Sequence, residues 1–172
     1  MEKLTILFVE DTEVHRQAAI EQLKDHNLII CKNFTEFQTI SKEDQQVDVV
    51  LTDCLLPAEA SAYVPQEGHS KDQVPFGTIV LLWAIQKNIP KAGMLMLNNH
   101  HDHPIAAGLD AIGGGRKQVT KFGNTEILIS TGDYYKDDSS GEFISSKLRH
   151  TEGSYIKEWG FFLQKLMGEA TW

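Results

Sequence analysis

Three carboxylates carry the chemical promise of this chain. Glu10 and Asp11 follow the apolar run Leu4-Thr5-Ile6-Leu7-Phe8-Val9, and Asp53 follows the run Val47 to Leu51, which is interrupted only by Asp48. A short apolar run closed by a breaker reads as a strand buried on both faces of a parallel sheet. In open α/β sheets, ligands and chemistry collect outside the carboxyl ends of such strands, and both acidic positions stand there. An acid pair at one strand end and a third acid at a neighbouring end can converge on one point. Three carboxylates so placed repel one another unless a hard cation sits among them, and oxygen donors of this kind suit Mg2+. Taken alone, Asp53 reads equally well as the cap of the next loop or helix. The acid pair in the earlier stretch is what favours a site.

With Pro57 standing four residues after Asp53 in an Asp-x-x-x-Pro loop, the chain resembles the response-regulator receiver family. The interval between Asp11 and Asp53 has room for a helix, a strand and a second helix, as that family requires. The resemblance covers residues 3–57 well and 77–122 loosely. It implies that Asp53 is the nucleophile that accepts a phosphoryl group from a phosphohistidine on a histidine kinase or phosphotransfer protein. It further implies that Glu10 and Asp11 hold Mg2+ together with Asp53 and the backbone carbonyl of Leu55. A lysine at the end of strand five should face the phosphoryl oxygens, and Lys121 is the candidate. Such a protein is a phosphoacceptor rather than a conventional enzyme, catalysing only its own phosphorylation and dephosphorylation.

The departures from that family are as informative. The Ser or Thr at the end of strand four is Asn98, whose amide donates a hydrogen bond with a different geometry. The coupled aromatic is Gln118, and the proline after the lysine is Phe122. The phosphate-holding end is therefore expected intact and the relay to the outer face largely absent. Two signalling readings follow: a receiver that is phosphorylated and acts through protein contacts, and a pseudo-receiver that binds its partner without phosphorylation. A third class comes from His100-His101-Asp102-His103, which with Asn98 resembles the tail of the metal-binding motif of metallo-β-lactamase-like hydrolases. Imidazole and carboxylate suit Zn2+, but Asn98 replaces the first histidine, and a solvated loop opening a helix is the better account. The run Gly113-Gly114-Gly115-Arg116-Lys117 follows a helix instead of opening one and reads as a turn.

Composition narrows the partners. The chain has 172 residues, enough for one domain with a proper core, with 41% hydrophobic and 23% charged residues. Its net charge is −8 with no basic run, so nucleic acid and anionic membranes are poor partners. There is no signal peptide and no stretch long enough to span a bilayer, which points to the cytoplasm. In a reducing cytoplasm Cys31 and Cys54 are expected as free, buried thiols.

The elements that must position the acids follow from periodicity. Residues 4–9 form a strand. A helix then opens at Thr12, with an apolar face of Val14, Ala18, Ala19 and Leu23. Leu28–Cys31 is a strand, and a helix capped at Asn33 or Thr35 carries Phe34, Phe37 and Ile40. Val47–Thr52 is the third strand. This alternation belongs to a doubly wound parallel sheet. The third helix is delayed to Gly77-Thr78 and Ile79–Ile85 by an insertion over 58–76, read as a lid beside Asp53 or a plain surface loop. Ala92–Leu97 is the fourth strand, Ile105–Ile112 a short helix, and Gln118–Phe122 the fifth strand. Gly123-Asn124 turns into Glu126–Ile129 as a hairpin, Asp137–Gly141 is a turn, and Tyr155–Met167 is the last helix. The expected architecture is one domain over 1–172 with insertions at 58–76 and 123–153. It has five parallel strands in the flavodoxin-like order 2-1-3-4-5, plus an extra hairpin.

Overall fold

A computed structural model describes residues 2–57, 73–96, 118–131, 135–137 and 155–169. Its centre is a six-stranded sheet. β1 (Thr5–Val9), β2 (Asn27–Cys31), β3 (Val49–Asp53) and β6 (Lys91–Met96) are parallel, and β8 (Thr125–Thr131) joins β6 as the fifth parallel strand. β7 (Thr120–Phe122) adds to β8 antiparallel, so the order is β2-β1-β3-β6-β8-β7. The architecture is α/β and compatible with a flavodoxin-like fold, but the sheet has six strands, not five.

The sixth strand corrects the reading of strand five. The turn at Gly123-Asn124 is there, with Gly123 at φ +59, a left-handed conformation that glycine takes without a Cβ clash. What the sequence reading reversed is which arm lies inside. Ile127, Leu128 and Ile129 are buried, whereas Lys121 is exposed and Thr120 and Phe122 are half-buried. The arm with three consecutive apolar residues fills the two-sided interior, and the arm with a lysine blunts the edge.

Alternation along the strands supplies two cores, one on each face of the sheet. On one face Leu7, Val9, Val50, Ala92, Met94, Ile127 and Ile129 meet α2 (Phe34–Ile40) and α3 (Phe76–Gln86) through Phe34, Phe37, Val80, Leu81 and Ala84. On the other, Ile6, Phe8, Val49, Leu51, Leu95 and Leu128 meet α1 (Glu13–Gln22) and α4 (Trp159–Met167). Helix α4 turns Trp159, Phe162, Leu163 and Leu166 inward at helical spacing, as expected. The Trp159 ring stands edge-on to Phe8 with centroids 4.8 Å apart. In α1, Val14 is exposed, and His15 and Arg16 are buried instead. Thr12 does stand at the start of α1, but its side chain makes no capping bond. Asn33 caps α2, accepting a hydrogen bond from the Glu36 amide at 2.9 Å.

Two short ribbons complete the described structure. β4 (Leu56–Pro57) pairs antiparallel with β5 (Gln73–Val74), joining the two ends of the first insertion. Helix α3 therefore still begins beside the end of β3, as it would without the extra residues. β9 (Tyr135–Asp137) pairs antiparallel with β10 (Tyr155–Lys157). The last helix thus starts at Trp159 and not at Tyr155, because residues 155–157 are drawn into a ladder. The expected lid or loop over 58–72, Asn98, the His100–His103 cluster, the helix over 105–112, the glycine run 113–115 and the turn over 138–141 lie outside the described residues. Among the described residues, no helix is long and apolar enough to cross a membrane.

Both cysteines are free and buried. Burial pushes the Cys31 thiol up to about 12, helped by the Glu36 charge, and burial pushes Cys54 up to about 12 with Asp53 adding to it. Only the thiolate reacts with aromatic disulfides. At pH 8, labelling of the native protein should be slower than that of the urea-unfolded chain by a factor of about 10³ or more, the protection that a stability of about 5 kcal/mol provides. Prompt labelling of either thiol in the native state would contradict this packing.

Candidate metal and phosphoryl site

Register explains how the acids meet. Val9 lies opposite Thr52 in the parallel ladder, so the next residues, Glu10 and Asp53, stand side by side at the carboxyl edge of the sheet, where Asp53 is the last residue of β3. The Glu10 amide still bonds to the Cys31 carbonyl at 3.1 Å, which holds the end of β1 in the sheet for one residue more. Glu10 is 0% exposed and Asp53 9%, while Asp11 is half-buried. Carboxylate oxygens of Glu10, Asp11 and Asp53 all lie within 4.8 Å of one another. This buried acidic cluster could hold a metal ion. The structure thus brings together the three acids singled out in the sequence, and Leu55 sits just beyond Asp53 in the link between β3 and β4.

The cation that joins them came from elsewhere. Lys157, at the end of β10 and 1% exposed, reaches Glu10 Oε2 at 2.6 Å and Asp53 Oδ1 at 2.8 Å. Its ammonium also stands 5.4 Å from the centre of the Trp159 ring. Lys121, the lysine favoured from the sequence, lies at the other end of the sheet. It faces Glu126 across the β7–β8 ladder, Glu126 faces Lys91, and Lys91 faces Val49 at the start of β3. Asp53 is four residues further along β3, about 13 Å at the usual rise per residue. Lys157 was missed because Tyr155–Met167 reads as a continuous helix, on whose surface a lysine is unremarkable. The only local hint was the cluster of Tyr155 and Ile156 immediately before it, residues that favour strands.

Electrostatics bear the marks of this crowding. Burial raises the Glu10 carboxyl from 4.5 to about 8, with Asp53 adding to the rise and Lys157 opposing it. Asp11 is raised as well, first by burial and then by Asp53. Burial, and then the charge of Lys157, depress His15 to about 3, so this buried imidazole adds no positive charge nearby. With every acid ionised, the three carboxylates and one ammonium of this cluster among the described residues carry a net charge of minus two, the complement of a divalent cation. Glu10 is the most committed of the three, since Oε2 accepts from Lys157 and Oε1 accepts from the Thr12 amide at 3.1 Å.

Two features hold the frame. Arg16, buried in the first turns of α1, donates to the Glu10 carbonyl at 3.0 Å and to the Asp11 carbonyl, and it pairs with Glu13. The guanidinium so fixes the backbone that aims both acids at Asp53. On the opposite side, the Gly77 amide donates to the Cys54 carbonyl at 3.0 Å. A Cβ at position 77 would lie 2.0 Å from the Asp53 carbonyl oxygen, so the start of α3 rests directly on the backbone that carries Asp53. Comparison with protein-family models gives no match, and comparison with curated proteins gives none either.

Proposed function

We propose that the protein is a receiver-like phosphoacceptor in which Asp53 takes a phosphoryl group in the presence of Mg2+ and acts through protein contacts. One observation carries the reading: Asp53 lies at a parallel strand end within reach of both an acid pair and a buried ammonium. Phosphoryl transfer asks for alignment and neutralised charge more than for covalent chemistry. Asp53 attacks phosphorus through a carboxylate oxygen as the bond from phosphorus to the donor's leaving atom breaks, and that atom, the imidazole nitrogen of a phosphohistidine, departs with the bonding pair. Lys157 lies where it can turn from Asp53 Oδ1 to an equatorial phosphoryl oxygen. Asp11, half-buried and raised first by burial and then by Asp53, and Asp53 itself are the residues best placed to hold a hard divalent ion. When bound, Mg2+ would supply neutralisation of the acids and of the incoming phosphoryl oxygens.

Incubation with Mg2+ and acetyl phosphate should add one phosphoryl group by intact mass, absent in Asp53→Asn and suppressed by EDTA. No added mass across several small donors would sink the acceptor role. A second reading keeps the fold and drops the chemistry. It is favoured by the ion pairs of Lys157 with Glu10 and Asp53, which already give these acids a counter-charge from the chain itself. Under it, Asp53→Asn leaves partner binding unchanged.

A further inference from the structure

Lys157 does not belong to the main sheet, so the ladder that positions Glu10 and Asp53 does not set the height of its backbone. The β9–β10 ladder holds Lys157 opposite Tyr135, and a side chain at the far end of α1 ties it to the start of α4. Gln22, the last residue of α1, donates from Nε2 to the Lys157 carbonyl at 3.3 Å, and its Oε1 accepts from the Gly160 amide at 3.0 Å. The Gly160 amide is among the first-turn donors of α4 that have no partner within their own helix. Glu158, at the cap position, makes no side-chain bond to them. One amide group from α1 therefore caps α4 and ties down the residue that carries the ammonium. A lysine side chain is long and flexible, and a fork to two acids at 2.6 and 2.8 Å requires its Cα to be held.

We propose that Gln22 is a positioning residue which, by bracketing Lys157 and Gly160 together, sets the reach of Lys157 to Glu10 and Asp53. Its consequence for phosphoryl transfer rests on the acceptor reading of Asp53, but its consequence for Lys157 does not. The two are separated by following the Lys157 ammonium by 1H–15N spectroscopy at mildly acidic pH, assigned by its absence in Lys157→Met, alongside phosphate uptake from acetyl phosphate. Wild type should show one protected ammonium. In Gln22→Met that ammonium should exchange at least about tenfold faster, and uptake should fall roughly ten- to a hundredfold, the scale of a misplaced catalytic group, with the urea midpoint lowered no further than the loss of one helix cap lowers it. Gln22→Glu keeps the acceptor for Gly160 and loses the donor to Lys157, and should fall between. An ammonium unaffected in both variants overturns the proposal, as does a loss of protection that only tracks global stability. A protected ammonium that Gln22→Met exposes, in a protein that never takes phosphate, upholds the bracket and removes the acceptor reading.

Discussion

Replacing Lys157 by methionine should cost about 3–5 kcal/mol of stability once Glu10 is ionised, above about pH 8, the range found when one partner of a buried ion pair is removed. The cause is Glu10, 0% exposed, which would keep Asp53 beside it and lose the ammonium at 2.6 Å. The pH dependence distinguishes this from lost packing. Glu10 already has its folded pKa raised from 4.5 to about 8 against the pull of Lys157, and without that pull it rises further. A group whose pKa is higher folded than unfolded binds protons on folding, so stability falls as pH rises through that interval. Below about pH 8 both folded forms keep Glu10 protonated and lose stability in parallel, so the deficit that Glu10 gives Lys157→Met should grow only as the pH is raised through 8, where wild-type Glu10 ionises beside Lys157. Adding Glu10→Gln should recover most of the loss, a coupling read by urea titration of the full cycle. Phosphate uptake should stay down by about 10² or more in both, the size seen when one preorganised charge-stabilising donor is lost. A single variant as stable as wild type at every pH would mean that Lys157 does not compensate Glu10.

The second large effect is at Gly77. Alanine in a helix ordinarily stabilises relative to glycine by up to about 1 kcal/mol. At position 77 the added Cβ would stand 2.0 Å from the Asp53 carbonyl oxygen and 2.8 Å from the Cys54 Cα. Both are backbone atoms of the strand end that carries Asp53, so no rotamer change relieves the clash and α3 must move off the sheet. Gly77→Ala should lose about 3 kcal/mol, the upper end of the usual cost of overpacking, and phosphate uptake should fall with it. Gly160→Ala is the control. Its Cβ would meet Gln22 no closer than 3.4 Å and its amide is retained, so that variant should be neutral or slightly more stable. Equal urea midpoints for Gly77→Ala and wild type would refute the close approach.

How much of this was legible beforehand varies with the range of the forces involved. The strand runs before Glu10 and Asp53 announce themselves by composition, because a strand covered on both faces must be apolar nearly throughout. Their parallel pairing follows from the intervening helices, and so does the meeting of the acids. The exposure of Val14 was not legible, since one turn of α1 buries His15 and Arg16 against the site and rotates the apolar face away. The choice between the arms around Gly123 did have a local signal, since Ile127-Leu128-Ile129 is a continuous apolar run and Gln118–Phe122 interleaves polar and apolar residues as an edge strand does.

Sequence alone determined the acid pair, the strand-end carboxylate of Asp53 and the layers that carry them, because each depends on patterns within a dozen residues. Only the tertiary structure decided which cation completes the cluster. Lys157 lies 147 positions from Glu10 and reaches it by way of a short ribbon and the end of α1. Such a contact leaves no local trace, because what selects one lysine over another is the cost of leaving buried carboxylates without a counter-charge, a quantity that exists only once the chain has folded.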